Sequence, residues 1–157
     1  GIDSLIMSDQ KVAIYNQCLE KLTGLLEGEY DEVVKMASIT SVLHQSFENF
    51  YWTGFYRMMA GELVIGPYQG TPACLRIAVG RGVCGTAAET GEIQVVPDVH
   101  AFPGHIACDS ASVSEIVIPI RSGDKIIAVL DIDSTSKNSF DEIDSSYLEQ
   151  ITSRFFR

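Results

Sequence analysis

The spacing of apolar residues changes from a helical period to a strand period near Phe50, and this change constrains the fold more than any other feature of the chain. Before it, residues 8–27 and about 31–47 carry apolar side chains at helical spacing. After it come short strand-like segments separated by glycine turns, at 50–58, 63–69, 75–78, 93–96, 115–120 and 125–134. A helix at 82–91 interrupts these strands, and a last helix begins near Phe140. The order predicts an α+β domain with one mostly antiparallel sheet and helices packed on it.

The composition indicates a globular domain that does not bind polyanions. The chain has 157 residues, of which 46% are hydrophobic and 20% charged, enough for one sizeable core. Its 21 acidic and 11 basic side chains give a formal net charge of −10, which opposes binding to nucleic acid or to an anionic membrane surface. No apolar run approaches the roughly 20 residues needed to span a bilayer. We therefore expect no nucleic-acid or membrane partner.

The N-terminus and the cysteine spacing indicate the cellular compartment of the protein. Residues 1–7 are too short and acidic for a signal peptide, and we expect them to be a tag or a ragged start, with Met7 as the original initiator. Residues 8–157 then form a single domain. The four cysteines have no CxxC spacing and do not resemble a secreted disulfide framework. These features predict a cytoplasmic protein with reduced thiols.

Three carboxylates lie on or beside predicted strands. Asp131 and Asp133 share one face of their strand, since successive side chains alternate. Two such carboxylates repel, which raises the pKa of at least one unless a cation lies between them. Glu115 opens an otherwise apolar strand, where desolvation would raise its pKa and leave it a proton to donate. The pair is thus an ammonium-binding site or a proton store, but a solvated strand end fits the spacing better. Glu115 fits a solvated strand start equally well.

Two aromatic side chains share a strand face with a glycine. Trp52, Gly54 and Tyr56 alternate along the first strand, so a Trp and a Tyr flank a position without a side chain. Such a group forms a shallow apolar box with polar tips, suited to a methyl or thioether group. An ordinary aromatic core explains the same pattern.

The cysteines differ in their settings. Cys84 follows a glycine turn at a predicted helix N-terminus, where unpaired N–H groups favour a thiolate. Cys108 lies in a long loop at 98–112, three residues after His105. Cys74 follows a turn and lies just before a predicted strand. Cys18 lies on the apolar face of the first helix and is expected to fill the core. Three cysteines in loop or helix-start positions favour redox chemistry.

Metal and dinucleotide sites are not expected. The spacing H-x4-H-x2-C from His100 to Cys108 matches no common zinc site. The GxGxxG pattern at 80–85 lacks a surrounding βαβ unit and an acidic ribose partner, so it does not indicate a dinucleotide fold. We predict neither a metal nor an organic cofactor.

A set of longer motifs resembles the free methionine-(R)-sulfoxide reductases, which are small GAF-domain enzymes. The likeness covers roughly residues 10–152. The motifs are GPYQG at 66–70, ACLRI at 73–77, GRGVCGTA at 80–87, VPDVHAFPGHIACD at 96–109, SEI at 114–116 and VLDIDS at 129–134. The resemblance implies a GAF domain with a sheet of about six strands, helices packed on one face and a substrate cavity on the other.

The same resemblance implies a substrate and a set of roles. The family reduces the R epimer of free methionine sulfoxide, and not the residue within a polypeptide. Trp52 and Tyr56 would hold the methylthio end. The carboxylates would bind the ammonium group and the sulfoxide oxygen, and they are Glu115, Asp131 and Asp133.

The resemblance also assigns the thiol chemistry. Cys108 would attack the sulfoxide sulfur and become a sulfenic acid, Cys74 would resolve it as a disulfide, and Cys84 would be a third redox thiol or a second resolver. Thioredoxin would restore the dithiol. The helix-start position favours Cys84 as the nucleophile instead. The position and the resemblance therefore predict different nucleophiles, and we follow the resemblance.

Other hypotheses remain at this stage. A GAF domain can be a non-catalytic sensor of a small ligand, and the cysteines can form a redox switch that processes no substrate. GAF domains often pair through their terminal helices, which leads us to expect a homodimer.

Overall fold

The structure is a computed structural model that describes residues 1–156. Within this range the chain forms four α-helices and six β-strands. In chain order they are α1 (Ile2–Leu25), α2 (Glu32–Ser46), β1 (Trp52–Met59), β2 (Glu62–Gln69), β3 (Arg76–Ala78), α3 (Gly82–Thr90), β4 (Gln94–Val96), β5 (Ser114–Ser122), β6 (Lys125–Ser134) and α4 (Glu142–Phe155). A short 3₁₀ turn, Val99–Ala101, follows β4. The predicted α+β organisation is confirmed.

The strands form one antiparallel sheet in the order β3-β2-β1-β6-β5-β4. The hairpins β1–β2 and β5–β6 supply two of its pairings, and β1 joins β6 at the centre. The β1–β6 register aligns Trp52 with Asp133 and Gly54 with Asp131. The β5–β6 register aligns Glu115 with Asp133. Three distant segments of the chain therefore meet in adjacent rows of the sheet.

Alternation along the central strands separates the interior into two parts. Phe55, Ile118 and Leu130 point to one face and pack with α1, α2 and α4. The alternate residues, among them Tyr56 and Val129, point to the other face and pack with α3. We predicted helices on one face of the sheet and a cavity on the other. Three of the helices do lie on one face, but the short α3 lies on the cavity side.

The helix ends follow their local sequence. Asp31 caps α2 by accepting from the N–H groups of Val33 and Val34, and Asp141 forms a capping box with Asp144 at the start of α4. Gly91 ends α3 with a φ of 71°, a conformation that glycine adopts without a steric penalty.

Helix α1 begins at Ile2 rather than at residue 8, because residues 2–7 continue the helix with their side chains exposed. The identity of residues 1–7 as a tag or ragged start stays a prediction. None of the helices between residues 1 and 156 combines the length and apolarity needed to cross a bilayer.

Candidate active site

The site is built on the cavity-side face of β1, β6 and β5. Trp52, Asp133 and Glu115 form one row across the three strands. Gly54 and Asp131 occupy the next row. Opposed residues of antiparallel strands share a face, so the aromatic group and the carboxylate group predicted separately from the sequence form one continuous surface.

Two of the three carboxylates are almost completely shielded from water. Asp131 is 5% exposed and Glu115 is 7% exposed, while Asp133 is partly buried. Burial raises the pKa of Glu115 and of Asp133 well above their usual range, and the negative charge of Asp131 raises both further. The pKa of Asp131 also rises by burial, but hydrogen bonds from Glu115 and Cys84 oppose that rise. Of the three carboxylates, Asp131 is therefore the one whose ionisation the surroundings oppose least.

Cys84 lies at the start of α3, as predicted, but its environment disfavours a thiolate. The thiol is 4% exposed and its sulfur lies 4.0 Å from Oε2 of Glu115. Burial raises the pKa of Cys84 well above its usual value, and the charges of Asp131 and Glu115 raise it further. Desolvation and the nearby carboxylates therefore oppose the effect expected of the helix N-terminus, and the choice between Cys84 and Cys108 as the nucleophile stays a prediction.

Cys74 and Cys108 form a disulfide at the edge of this surface, with their Cα atoms 5.3 Å apart. Both half-cystines are partly buried and pack against the cavity-side apolar cluster. Within residues 1–156 the two remaining cysteines, Cys18 and Cys84, are free and buried. Cys18 fills the core on the opposite face of the sheet, as predicted.

The two aromatic residues of β1 hold the segment that carries Cys74. Nε1 of Trp52 donates a hydrogen bond of 2.9 Å to the carbonyl oxygen of Thr71. The Tyr56 hydroxyl donates one of 2.9 Å to the carbonyl oxygen of Cys74. The rings stack with centroids 6.0 Å apart. They thus form a wall of the cavity and also position one of its cysteines.

A cavity of about 40 Å³ lies between the sheet, α3 and the loop that carries Cys108. Seven of the eight predicted site residues line it, namely Trp52, Tyr56, Cys84, Cys108, Glu115, Asp131 and Asp133. The eighth, Cys74, is joined to the site by its bond to Cys108. The structure brings the whole predicted set together, while the role of each residue stays a prediction.

Asp109 also lines the cavity, although no role was predicted for it from the sequence. Its Oδ2 accepts hydrogen bonds from the hydroxyls of Tyr51 and Thr71, at 2.9 and 2.5 Å. Its Oδ1 accepts from the N–H of Ala111 at 2.9 Å. These bonds lower the pKa of Asp109. Its position directly after Cys108 is the only sequence signal that could have singled it out.

One group of potential metal ligands lies in the cavity, among the residues that the structure describes. Ligand atoms of Cys84, Glu115 and Asp131 all lie within 4.8 Å of one another. The histidines considered in the sequence are not part of this group: His105 lines the cavity, and His100 is exposed in the 3₁₀ turn.

Comparison with known proteins gives consistent matches over nearly the whole chain. The GAF domain family matches residues 9–155. Protein YtsP of Bacillus subtilis is 51% identical over 145 residues, which cover 91% of this chain and 89% of that protein. The free methionine-R-sulfoxide reductase of Escherichia coli is 42% identical over 144 residues, covering 92% and 87% respectively.

Solved structures also match the chain over most of its length. The X-ray structure of free methionine-R-sulfoxide reductase from Neisseria meningitidis, in complex with its substrate, has a TM-score of 0.87 at 43% identity. The match covers 91% of this chain and 86% of that chain.

Proposed function

The chain belongs to the GAF-domain family and, within it, to the free methionine-R-sulfoxide reductases, and from this premise we propose that it reduces free L-methionine-(R)-sulfoxide to methionine. The resemblance noted in the sequence and the predicted GAF fold are thereby confirmed. The observation that carries the proposal is the Cys74–Cys108 disulfide beside the cavity that Glu115 and Asp133 line. A thiol pair and protonated carboxylates are what a sulfoxide reduction requires.

The first chemical step transfers oxygen from the substrate to the enzyme. The thiolate of Cys108 attacks the sulfoxide sulfur and forms an S–S bond, while a carboxylic acid protonates the sulfoxide oxygen and the S–O bond breaks. The released hydroxide then attacks the Cys108 sulfur, and the S–S bond breaks with its electron pair passing to the substrate sulfur. Methionine leaves with two more electrons than the sulfoxide had, and Cys108 is left as a sulfenic acid. The raised pKa values of Glu115 and Asp133 support them as the proton donors, because burial and the charge of Asp131 favour the protonated form of both.

The second step regenerates a reducible form of the enzyme. The thiol of Cys74 attacks the sulfenic sulfur of Cys108, a water molecule leaves, and the disulfide forms. A dithiol reductant then supplies two electrons and two protons. Thioredoxin is our proposed reductant, since its low potential suits it to reduce a protein disulfide. Cys84 is a third redox thiol or an alternative resolver in this scheme, and its burial beside Glu115 supports the secondary role.

The substrate would be bound by both of its ends. We assign the methylthio group to the box formed by Trp52 and Tyr56. We assign the ammonium group to the carboxylates, with Asp131 as the anionic member. An enclosed site of this kind favours a free amino acid, because a polypeptide has no ammonium group at that position and cannot enter a closed cavity.

Reduction of the disulfide would release the loop at residues 98–112 from Cys74, and this loop lines the cavity. We further propose that the protein works as a homodimer in the cytoplasm, where thiols are kept reduced.

The proposal is tested by incubating the protein with racemic methionine sulfoxide and excess dithiothreitol, and following each epimer by chiral chromatography. Selective loss of the R epimer, with an equal gain of methionine, is expected. Methionine sulfoxide within a peptide, and a Cys108→Ser variant, serve as controls and should show no turnover. No loss of either epimer, with free thiols confirmed, would leave a GAF domain that binds a small ligand or responds to oxidants without catalysis.

A further inference from the structure

We propose that Cys84, Glu115 and Asp131 form a binding site for a thiophilic divalent cation, which excludes the substrate when occupied. The ligand atoms lie within 4.8 Å of one another, and the Cys84 sulfur is 4.0 Å from Glu115 Oε2. A tetrahedral zinc ion bound to one sulfur and two oxygens, with bonds of about 2.0–2.3 Å, needs ligands somewhat closer together. Binding would therefore have to draw the side chains of Glu115 and Asp131 inward.

An unpartnered atom points independently to a ligand. Although Glu115 and Cys84 hydrogen-bond to the Asp131 carboxylate, its Oδ1 has no partner, and the residue is only 5% exposed. A buried carboxylate oxygen without a partner is costly, and a cation at this position would satisfy it. The donor set of one thiolate and two carboxylates suits borderline-soft dications such as Zn²⁺ and Cd²⁺ better than Mg²⁺ or Ca²⁺, which require oxygen ligands alone.

Occupancy would change the chemistry of the site. A metal binds the thiolate and carboxylate forms of its ligands, so any proton that these groups carry passes to solvent on binding. The dication then occupies the space in which the proposed function places the substrate ammonium group. We therefore expect competitive inhibition by zinc, but the site itself does not depend on that function and is tested by binding alone.

The test uses the disulfide form of the protein, in which Cys18 and Cys84 are the free thiols. Cys18 lies across the sheet in the helical core and serves as the matched control. The full chain is oxidised with diamide, the disulfide is verified by mass spectrometry, and Cd²⁺ is titrated while the ultraviolet thiolate-to-cadmium charge-transfer band is recorded. A Cys74→Ser/Cys108→Ser variant is titrated in parallel, since its loop is not tied down.

A band that saturates at one Cd²⁺ per chain is expected in at least one of these proteins. Cys84→Ala should abolish it and Cys18→Ala should retain it. Glu115→Gln, which leaves the thiol in place, should weaken Cd²⁺ binding at least tenfold. The proposal is overturned if neither protein shows the band, if Cys84→Ala retains it, or if Glu115→Gln binds as tightly as the parent.

A separate set of contacts carries a second inference, which rests on the proposed function. We infer that Asp109 is a positioning residue that holds Cys108 next to Cys74 before their disulfide forms. Asp109 follows Cys108 directly, and its Oδ2 accepts from Thr71, three residues before Cys74. Tyr51 donates to the same oxygen. These bonds join the two cysteine-bearing segments without a covalent link.

Holding two sulfur atoms together raises the rate at which they react, since orientation is established in advance. The carboxylate of Asp109 is suited to this because it accepts from three donors, and hydrogen bonds to an ionised group are the stronger kind. Its loss would therefore affect the resolution step more than oxygen transfer.

Single-turnover rapid-quench experiments on Asp109→Asn distinguish the two steps. Methionine formation reports oxygen transfer, and trapping of the sulfenic acid by dimedone reports slow resolution. We expect the rate of disulfide formation to fall at least ten times more than the rate of methionine formation, with more sulfenic acid trapped. Thr71→Val, which removes one of the three bonds, should have a smaller effect in the same direction. Equal changes in both rates would overturn the inference, whereas absence of methionine in the parent protein would overturn the proposed function instead.

Discussion

Trp52 and Asp133 occupy directly opposite positions on neighbouring strands, so an indole and a carboxylate stand side by side on the cavity face of the sheet. Gly54 follows Trp52 on that face, opposite Asp131. The lack of a side chain at Gly54 leaves room for the indole, which would come within 2.7 Å of an added Cβ. Strand register therefore places the apolar and acidic halves of the site next to each other, and the absence of a side chain at Gly54 keeps them so.

Replacement of Gly54 by alanine should damage the site through the Trp52 ring. The added methyl group would overlap the Cβ of Tyr68 and crowd the indole, and overpacking of this kind costs about 1–3 kcal/mol. We expect a lower melting temperature and a KM raised at least several-fold. Gly24→Ala is the control: it lies in α1 with nothing within 4 Å, and should stabilise the helix by up to about 1 kcal/mol with unchanged KM.

The three cysteines of the site should differ in single-turnover experiments without added reductant. Cys108→Ser should lower methionine formation by roughly 10³-fold or more, because the nucleophile is lost. Cys74→Ser should still release about one methionine per chain, and then stop with a sulfenic acid on Cys108. Cys84→Ser should retain most of the burst. Methionine is measured by chromatography and the sulfenic acid by dimedone labelling; a normal burst from Cys108→Ser would disprove the nucleophile assignment.

Glu115→Gln should lower activity while raising stability at neutral pH. An unfolded glutamate ionises near 4.5, whereas the folded protein holds its proton to a much higher pH. The unfolded state thus binds fewer protons above pH 4.5, and the free energy of unfolding falls as pH rises, by at most about 1.4 kcal/mol per pH unit for this group. Glutamine cannot ionise, so the variant should lose less stability between pH 5 and pH 8.

Urea unfolding at pH 5 and pH 8 measures this difference, and kcat/KM should fall by about 10²-fold or more if the proton is used in catalysis. Glu20→Gln, an exposed substitution in α1, should leave the pH slope unchanged. An identical slope in Glu115→Gln and in the parent would contradict the proposed protonation of Glu115.

Asp144 should affect stability and not catalysis, because it lies on the helical side of the sheet. Its carboxylate accepts hydrogen bonds from Lys11 at 2.7 Å and from the buried Tyr15 hydroxyl at 2.5 Å. Asp144→Ala leaves the Tyr15 hydroxyl unpaired, leaves Lys11 only its longer contacts with Asp141 and Ser139 at 3.5 Å, and removes part of the α4 cap. Together these losses should cost about 3 kcal/mol in urea unfolding. Asp9→Ala, an exposed position in α1, should change stability by less than about 0.5 kcal/mol. A large loss of kcat in Asp144→Ala under folding conditions would argue against this separation.

Periodicity alone was enough to predict most of the elements and to place the key side chains on strand faces. Trp52 and Tyr56 share a face by parity, as do Asp131 and Asp133. Alternation along each strand does not show that the face carrying Trp52 and the face carrying Asp131 lie on the same side of the sheet. That depends on which strands pair and in what register. The link between Glu115 and Asp133 has the same origin, since a hairpin register joins them across the turn between β5 and β6.

The properties of Cys84 could not be predicted for a different reason. Its position at a helix start is local and was predicted correctly. The pKa of its thiol depends on Glu115 and Asp131, which are 31 and 47 positions away along the chain and reach it only through packing of α3 on the sheet. Asp109 was missed likewise, because its donors Tyr51 and Thr71 come from other segments.

The alternation along β6 also governs which sequence changes the protein tolerates over evolution. Deleting one residue from the middle of this strand would turn Asp131 and Asp133 into the helical core, and would turn Leu130 and Ile132 into the cavity. Both sides of the sheet would fail together, so gaps and insertions among descendants of this chain should fall in its loops and turns. The central strands should instead diverge by substitution at constant length.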